Sequence, residues 1–221
     1  MEQSLVIVKP DGTLRRRVGA LVIKILLDKG YKIRAFKEMK VPRSLAEKHY
    51  DIHKERPFFP WLVQFITSGR VLVMVFEGED VIQGIRDALG ATFVEKASPD
   101  SLRGKYGLIA GVNIAHASDS PDTAKNEIQL WTEHGGLEFS EDAEERAREY
   151  VQKYADSDAD YTEELRSVIH EAISKEKTGH EVVESLKRLL SKDAEGIEEQ
   201  EIEALASAIH ATIEEQVEKA K

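Results

Sequence analysis

The 221-residue chain has no cysteine. That excludes disulfides, thiolate zinc sites and thiol nucleophiles, and it is compatible with a reducing compartment. No apolar run approaches the roughly 20 residues that a bilayer-spanning helix needs. The start, MEQSLVIVKPDG, lacks a basic segment followed by an apolar core and a small-residue cleavage site, so a soluble, cytoplasmic protein without membrane association is expected. Neither G-x-x-x-x-G-K-[ST] nor G-x-G-x-x-G occurs. A nucleotide bound here would therefore be held by side-chain cations and not by a backbone phosphate cradle.

Proline is missing after Pro121, tryptophan after Trp131 and phenylalanine after Phe139. Charge changes at the same place. Up to Ser140 there are 20 Lys and Arg against 18 Asp and Glu, whereas the remainder has 11 against 23, so the net −10 arises entirely from the tail. These shifts predict two units, a domain over 1–140 and an acidic helical extension over 141–221. The negative balance argues against nucleic acid as a partner, and no recognition helix is evident.

Ser4 to Lys9 is a short β-branched run closed by Pro10-Asp11-Gly12, the pattern of a strand ending in a turn. Val18 to Lys29 has helical apolar spacing and stops at Gly30. Tyr31 to Val41 reads as a strand. Ser44 with Glu47 forms a capping-box pattern at the start of a helix, and Phe58 to Ser68 reads as another short helix. The uninterrupted run Val71 to Phe76 fits a central strand. Val81 to Leu89 is a helix candidate, Gly90 to Gly104 a long irregular loop, Val112 to Ala115 a last strand, and Ser120 to Trp131 a helix capped by Ser120 with Pro121 at its first position. This order suits an α+β sandwich in which helices cover one face of a small antiparallel sheet. A loop as long as Gly90 to Gly104 within a compact domain suggests a functional segment.

The tail carries three amphipathic stripes. One runs through Leu165, Val168, Ile169, Ala172 and Ile173, with Asp160 and Glu163 in capping positions. A second contains Val182, Val183, Leu186, Leu189 and Leu190, and a third Ile202, Leu205, Ile209, Ile213 and Val217. A small all-α bundle is expected, or else arms that bury their stripes on the first domain or on another subunit. The stripes and the acidic charge also fit a module that binds a protein partner or modifies oligomeric state. His170, His180 and His210 lack metal-ligand spacing and read as surface residues.

His116 lies in VNIAHASDSP among small residues. A histidine on an apolar stretch is more often structural, yet Ala115, Ala117 and Ser118 leave room for a substrate. A neutral imidazole can attack phosphorus without first losing a proton, provided cations neutralise the transferring oxygens. Lys9, Arg86 and Arg103 are such cations, with Thr92 as a hydroxyl donor. All of them fall in loops or at element ends, and each alone reads as a surface residue.

Asn113-Ile-Ala-His-Ala-Ser-Asp119 resembles the active-site signature N-x-x-H-[GA]-S-D of the nucleoside diphosphate kinase family. It does not stand alone. Val8-Lys9-Pro10-Asp11-Gly12, His49-Tyr50, Arg56-Pro-Phe-Phe-Pro60, Leu102-Arg103-Gly104 and Glu127 with Trp131 follow that family in order and spacing, so the resemblance covers roughly residues 3 to 139. It implies a ferredoxin-like four-stranded antiparallel sheet covered by helices, and a two-step transfer of the γ-phosphate from a nucleoside triphosphate to a nucleoside diphosphate through phosphorylated His116. It carries Lys9, Tyr50, Arg86, Thr92 and Arg103 to phosphate and ribose contacts, Asn113 to the ribose and Phe58 to the base. Ser118 and Glu127 would support the histidine. Mg2+ would be carried by the nucleotide phosphates, with no protein metal cage. Stacking on Phe58 implies broad base tolerance.

Taken alone, Tyr50 and Phe58 suit packing, Glu127 suits a solvated charge, and Asp119 suits the cap region of the following helix. The family further implies a homo-oligomer, a hexamer or tetramer built from dimers. Two positions depart from its pattern: Val94 stands where a proline often supports the hexamer, and Ala110 where a larger apolar residue often faces the base opposite Phe58. A competing reading is a non-catalytic nucleotide-binding scaffold whose tail recruits a partner. Retention of His116, Lys9, Arg86 and Arg103 together favours the enzyme.

Overall fold

A computed structural model describes residues 1–220. Strand β1 (Glu2–Val8) lies between β3 (Arg70–Gly78) and β4 (Ala115–Ala117), and β2 (Lys32–Lys40) flanks β3. Every pairing is antiparallel, giving the order β2-β3-β1-β4 of a ferredoxin-like sheet. The central strands β1 and β3 are buried on both sides because their apolar residues do not alternate with polar ones.

That double burial corrects the expectation of a one-sided sandwich. On one face, Val6, Val8, Leu72, Met74 and Phe76 pack against α2 (Arg16–Asp28) and α5 (Val81–Leu89). On the other, Leu5, Ile7, Val71, Val73 and Val75 pack with Leu45 of α3 (Arg43–His49), Val63 and Ile66 of α4 (Phe59–Thr67), and Trp131 of α7 (Pro121–Gly135). A strand with apolar residues at every position needs cover on both sides.

Several local expectations shift. Pro10-Asp11-Gly12 opens a one-turn helix, α1 (Pro10–Thr13), since Pro10 suits the first helical position. Helix α3 starts at Arg43 with Pro42 as its N-cap and no side-chain cap bond, and Glu47 pairs instead with Arg43 at 2.8 Å. The segment Gly90 to Gly104 contains a 3-10 turn, Val94–Lys96, and runs into a short helix, α6 (Leu102–Tyr106), capped by Ser101. The last strand begins at Ala115 and so carries His116 itself. Ser120 caps α7 as expected, accepting from the Thr123 amide at 3.1 Å.

The tail holds α8 (Ala143–Tyr154), α9 (Thr162–Ser174), α10 (His180–Leu190) and α11 (Glu199–Lys219). Helix α8 carries little apolar surface, which hid it in the sequence. Its small Ala143 and Ala147 allow close approach to the sheet face formed with α2. The stripes of α9, α10 and α11 meet one another, and the same cluster takes in Leu14, Phe65, Leu108, Ile109 and Val112 from the preceding part of the chain. Among the described residues, the exposed large apolar side chains are Met1, Ile52, Phe58, Phe93 and Phe139, none of them on these helices.

Three consecutive arginines stitch the tail down. Arg15 donates to Thr162 Oγ1 at 3.0 Å, Arg16 to the Glu195 carbonyl at 2.9 Å, and the Arg17 amide to Asp193 Oδ2 at 3.1 Å. Farther along, Arg70 and Glu201 form a bidentate pair, with Nε to Oε1 at 3.2 Å and Nη2 to Oε2 at 2.9 Å. No helix is long and apolar enough to cross a membrane among the described residues.

Candidate active site

The antiparallel register places His116 opposite Ile7. Cross-strand partners share a face, so the imidazole points to the side covered by α3, α4 and α7, while Ala115 and Ala117 turn to the other side. The segment leading into β4 is strained: Ile114 has φ of 67° although it is β-branched. Buried Asp11 holds that conformation by accepting from the Ile114 amide at 2.9 Å, and the Lys9 amide donates to the Ile114 carbonyl at 2.8 Å. The loop holding the nucleophile candidate is thus fixed by the end of β1.

His116 Nε2 lies 2.7 Å from Glu127 Oε1, and Ser118 Oγ donates to the other carboxylate oxygen at 2.6 Å. Ser118 is itself tied to β1, accepting from the Leu5 amide at 3.1 Å. Since the carboxylate already accepts from Ser118, Nε2–H donating to it leaves Nδ1 with its lone pair. The ring stays one quarter exposed. His49 stands edge-on to it, with centroids 4.7 Å apart, and accepts from Trp131 Nε1 at 3.3 Å. Burial, reinforced by His116, Lys9 and His53, keeps His49 well below the ordinary histidine range and therefore neutral.

His116 opens onto a cavity of about 590 Å3. Lys9, Arg86 and Arg103 line it together with Tyr50, Thr92 and Asn113, and Phe58 lies at its mouth, about half exposed. All eight side chains assigned by resemblance to the nucleophile or the nucleotide converge there, with Ser118 and Glu127 placed behind His116. Lys9 Nζ donates to Asn113 Oδ1 at 2.9 Å, and Asn113 Nδ2 to the Thr92 carbonyl at 2.6 Å. Arg103 donates to the carbonyls of Gly90 at 2.7 Å and Ala115 at 2.8 Å.

The cations are held in a poorly hydrated place. Burial lowers Lys9 to about 8, against the pull of Asp11 and with help from Arg103. Burial also lowers Arg103 to about 10, and neighbouring Arg86 adds to the effect. Both shifts come chiefly from lost hydration of the cations, against the pull of Asp11, and an anionic ligand would oppose them further. Among the described residues, the Tyr50 hydroxyl and Arg103 Nε are buried without hydrogen-bond partners, as expected where a polar ligand completes the set.

Magnesium prefers oxygen ligands. Among the described residues, the carboxylates along the cavity are Asp119, whose pKa is lowered by hydrogen bonds from Thr123 and Ser120, and Glu215. These two carboxylates offer oxygen donors of the kind magnesium takes. His49, His116 and Glu127 bring one donor atom each within 4.8 Å of one another. The bond between Glu127 and His116 Nε2 already satisfies two of them.

Two groups of residues escaped the sequence reading. His49 was visible beside Tyr50, but its packing against His116 depends on the approach of α3 to α7. Thr212, Glu215, Gln216 and Lys219 of α11 also line the cavity, and nothing in their spacing distinguishes them from a solvated helix face.

A family model described as nucleoside diphosphate kinase matches residues 2–136. The nucleoside diphosphate kinase of Microcystis aeruginosa is 48% identical over 131 residues, covering 59% of this chain and 87% of that one. The enzyme of a Cyanothece species is 49% identical over the same shares. Among solved structures, the Aquifex aeolicus nucleoside diphosphate kinase aligns with a TM-score of 0.55 at 39% identity, covering 58% of this chain and 93% of that one. A family protein from Babesia bovis aligns with a TM-score of 0.58 at 34% identity, covering 64% and 95%.

Proposed function

Because this chain belongs to the nucleoside diphosphate kinase family, a family of phosphotransferases, we propose that it exchanges γ-phosphate between nucleotides through His116. Nδ1 attacks the γ-phosphorus of a nucleoside triphosphate in line with the departing oxygen. The phosphorus–oxygen bond to the β-phosphate breaks and a nucleoside diphosphate leaves with that electron pair. A second nucleoside diphosphate then attacks the phosphohistidine through its terminal oxygen, a nitrogen–phosphorus bond breaks, and the imidazole lone pair is restored. Little covalent work is asked of the protein beyond positioning and charge neutralisation.

Lys9, Arg86 and Arg103 would neutralise phosphate oxygens, Thr92 and Tyr50 would donate hydroxyl hydrogen bonds, Asn113 would meet the ribose, and Phe58 would stack on the base. Glu127 and Ser118 would keep the proton on Nε2 and the ring aimed into the cavity. Mg2+, when bound through the nucleotide's phosphates, supplies further charge screening. The observation that carries the reading is the pairing of Nε2 with Glu127 in a ring that opens onto a cavity lined by buried cations. A non-catalytic scaffold would have no need to hold nucleophile and cations in one cavity. A division into a catalytic domain over 1–140 and a helical extension over 141–221, a cytoplasmic location, and a homo-oligomer, hexamer or tetramer, built from dimers belong to the same proposal.

The test is incubation with γ-labelled ATP and Mg2+, expecting an acid-labile, alkali-stable label that a nucleoside diphosphate removes. A His116→Ala variant that still acquires the label and turns over would refute the mechanism.

A further inference from the structure

Helix α11 starts beside Arg70, and its last turns line the cavity onto which His116 opens. Its first turn is anchored by Glu201 on Arg70, and its middle by Trp61, whose Nε1 donates to the Ala208 carbonyl at 3.1 Å. Trp61 is stacked on Phe65 at 4.9 Å and belongs to α4, the helix that Phe58 precedes. Ile213 and Val217 bury the apolar side of the last turns in the cluster that Ala110 packs against. The adjoining side of those turns lines the cavity through Thr212, Glu215, Gln216 and Lys219.

These four groups are not equally available. Thr212 Oγ1 donates to the Ala208 carbonyl at 3.4 Å, and Glu215 pairs with Lys219 at 2.6 Å. Gln216 is half-buried, and among the described residues its carboxamide has no hydrogen-bond partner. It presents a donor and an acceptor to the cavity that Phe58 also lines. The small side chain of Ala110 leaves this side open to α11.

We propose that Gln216 is a specificity-determining residue, which hydrogen-bonds the polar edge of the nucleobase and favours purine over pyrimidine nucleotides. The inference rests on the nucleotide reading of the cavity. With the phosphates held at Lys9 and Arg103, a base lying on Phe58 turns its edge away from the sugar. A purine extends farther in that direction than a pyrimidine, and a carboxamide can pair with a purine edge through two bonds. Stacking alone tolerates every base, so selectivity would come from α11.

The experiment uses the full chain, with Gln216→Ala and Gln216→Glu variants, and measures binding of ADP, GDP, UDP and ribose 5-diphosphate by calorimetry. Labelling of His116 from γ-labelled ATP is followed in parallel. The wild type should bind ADP and GDP more tightly than UDP by about 3- to 10-fold, the range of one or two side-chain hydrogen bonds. Gln216→Ala should abolish that difference and leave ribose 5-diphosphate within twofold. Gln216→Glu, which loses the donor, should weaken GDP more than ADP, because guanine's six-membered ring presents a carbonyl oxygen where adenine presents an amino group. Equal base preference in wild type and Gln216→Ala overturns the proposal, and so does a parallel loss for ribose 5-diphosphate, which would signal a structural effect. Failure of His116 to label, with base-dependent binding intact, would strike the phosphotransfer reading and leave this one standing.

Discussion

Glu127 holds His116 through a 2.7 Å contact to Nε2, and the same carboxylate accepts from Ser118 two residues farther along the chain. One side chain thus fixes both the tautomer and the end of the strand that presents the ring. Glu127→Gln keeps the shape but can turn an amide N–H toward Nε2, which favours the tautomer with its proton on the wrong nitrogen. We expect kcat to fall about 100-fold with nucleotide KM within about threefold. Ser118→Ala should cost less, because the contact to the ring survives. Steady-state kinetics of both variants check this, and a Glu127→Gln enzyme with wild-type kcat would remove Glu127 from the site.

Lys9 gives a pH dependence of defined sign. Its ammonium is lowered to about 8 by burial, so in the free protein it loses its charge through that value. Bound phosphates favour the charged form, so nucleotide binding at pH 8 should take up a fraction of a proton and affinity should fall from pH 7 to pH 9. Calorimetry in buffers of different ionisation enthalpy measures the uptake. Lys9→Met should bind more weakly at pH 7 and flatten the dependence. A pH-independent affinity in the unsubstituted protein would refute the assignment.

The site was legible in sequence wherever short segments carried it. VNIAHASDSP and Lys9 point to the cavity because they sit on or beside the paired strands β4 and β1, whereas Arg103 of α6 reaches it through its bonds to the carbonyls of Gly90 and Ala115. Strand β4 lies two to three residues beyond Val112 to Ala115 because Ile114, a strong strand former, is the one held at positive φ by Asp11. Helix α8 leaves little trace in the sequence because it packs through alanines and Tyr150, without a wide apolar stripe. The arrival of α11 at the cavity depends on Arg70, Glu201 and Trp61, contacts spanning 131 and 147 residues that no local pattern reveals.

The seam around Asp193 supplies a second pH effect. Burial raises its carboxyl to about 6, while the Arg17 amide and the guanidinium groups of Arg15 and Arg17 pull the other way. A folded value above the unfolded one means that the folded chain binds the extra proton. The stabilising contribution is complete below about 3.8 and is lost as pH rises to about 6. Asp193→Asn retains an acceptor for the Arg17 amide without the charge. It should raise stability at pH 7 by about 1 kcal/mol, a figure discounted for a half-exposed group, and change little at pH 3.5. Urea unfolding at the two pH values checks this, and equal effects at both would contradict it.

Arg70 and Glu201 join the sheet to α11 through a nearly buried carboxylate, with Lys40 3.4 Å from the same group. Removing one partner of such a pair costs more than the pair contributes, since the other is left without its hydrogen bonds. Glu201→Ala should destabilise the protein by about 2–3 kcal/mol. Replacing both partners with apolar residues of similar size, as in the double variant Arg70→Met with Glu201→Leu, should cost less than the single change, although Glu38, 3.3 Å from Arg70, then loses one of its cations. Loosening the first turn of α11 should also reach the far end of the helix and weaken nucleotide binding in Glu201→Ala. Denaturant titration paired with ADP calorimetry tests both effects. A variant that is destabilised while its nucleotide affinity is unchanged would show that the last turns of α11 hold their place through Trp61 and the apolar cluster alone.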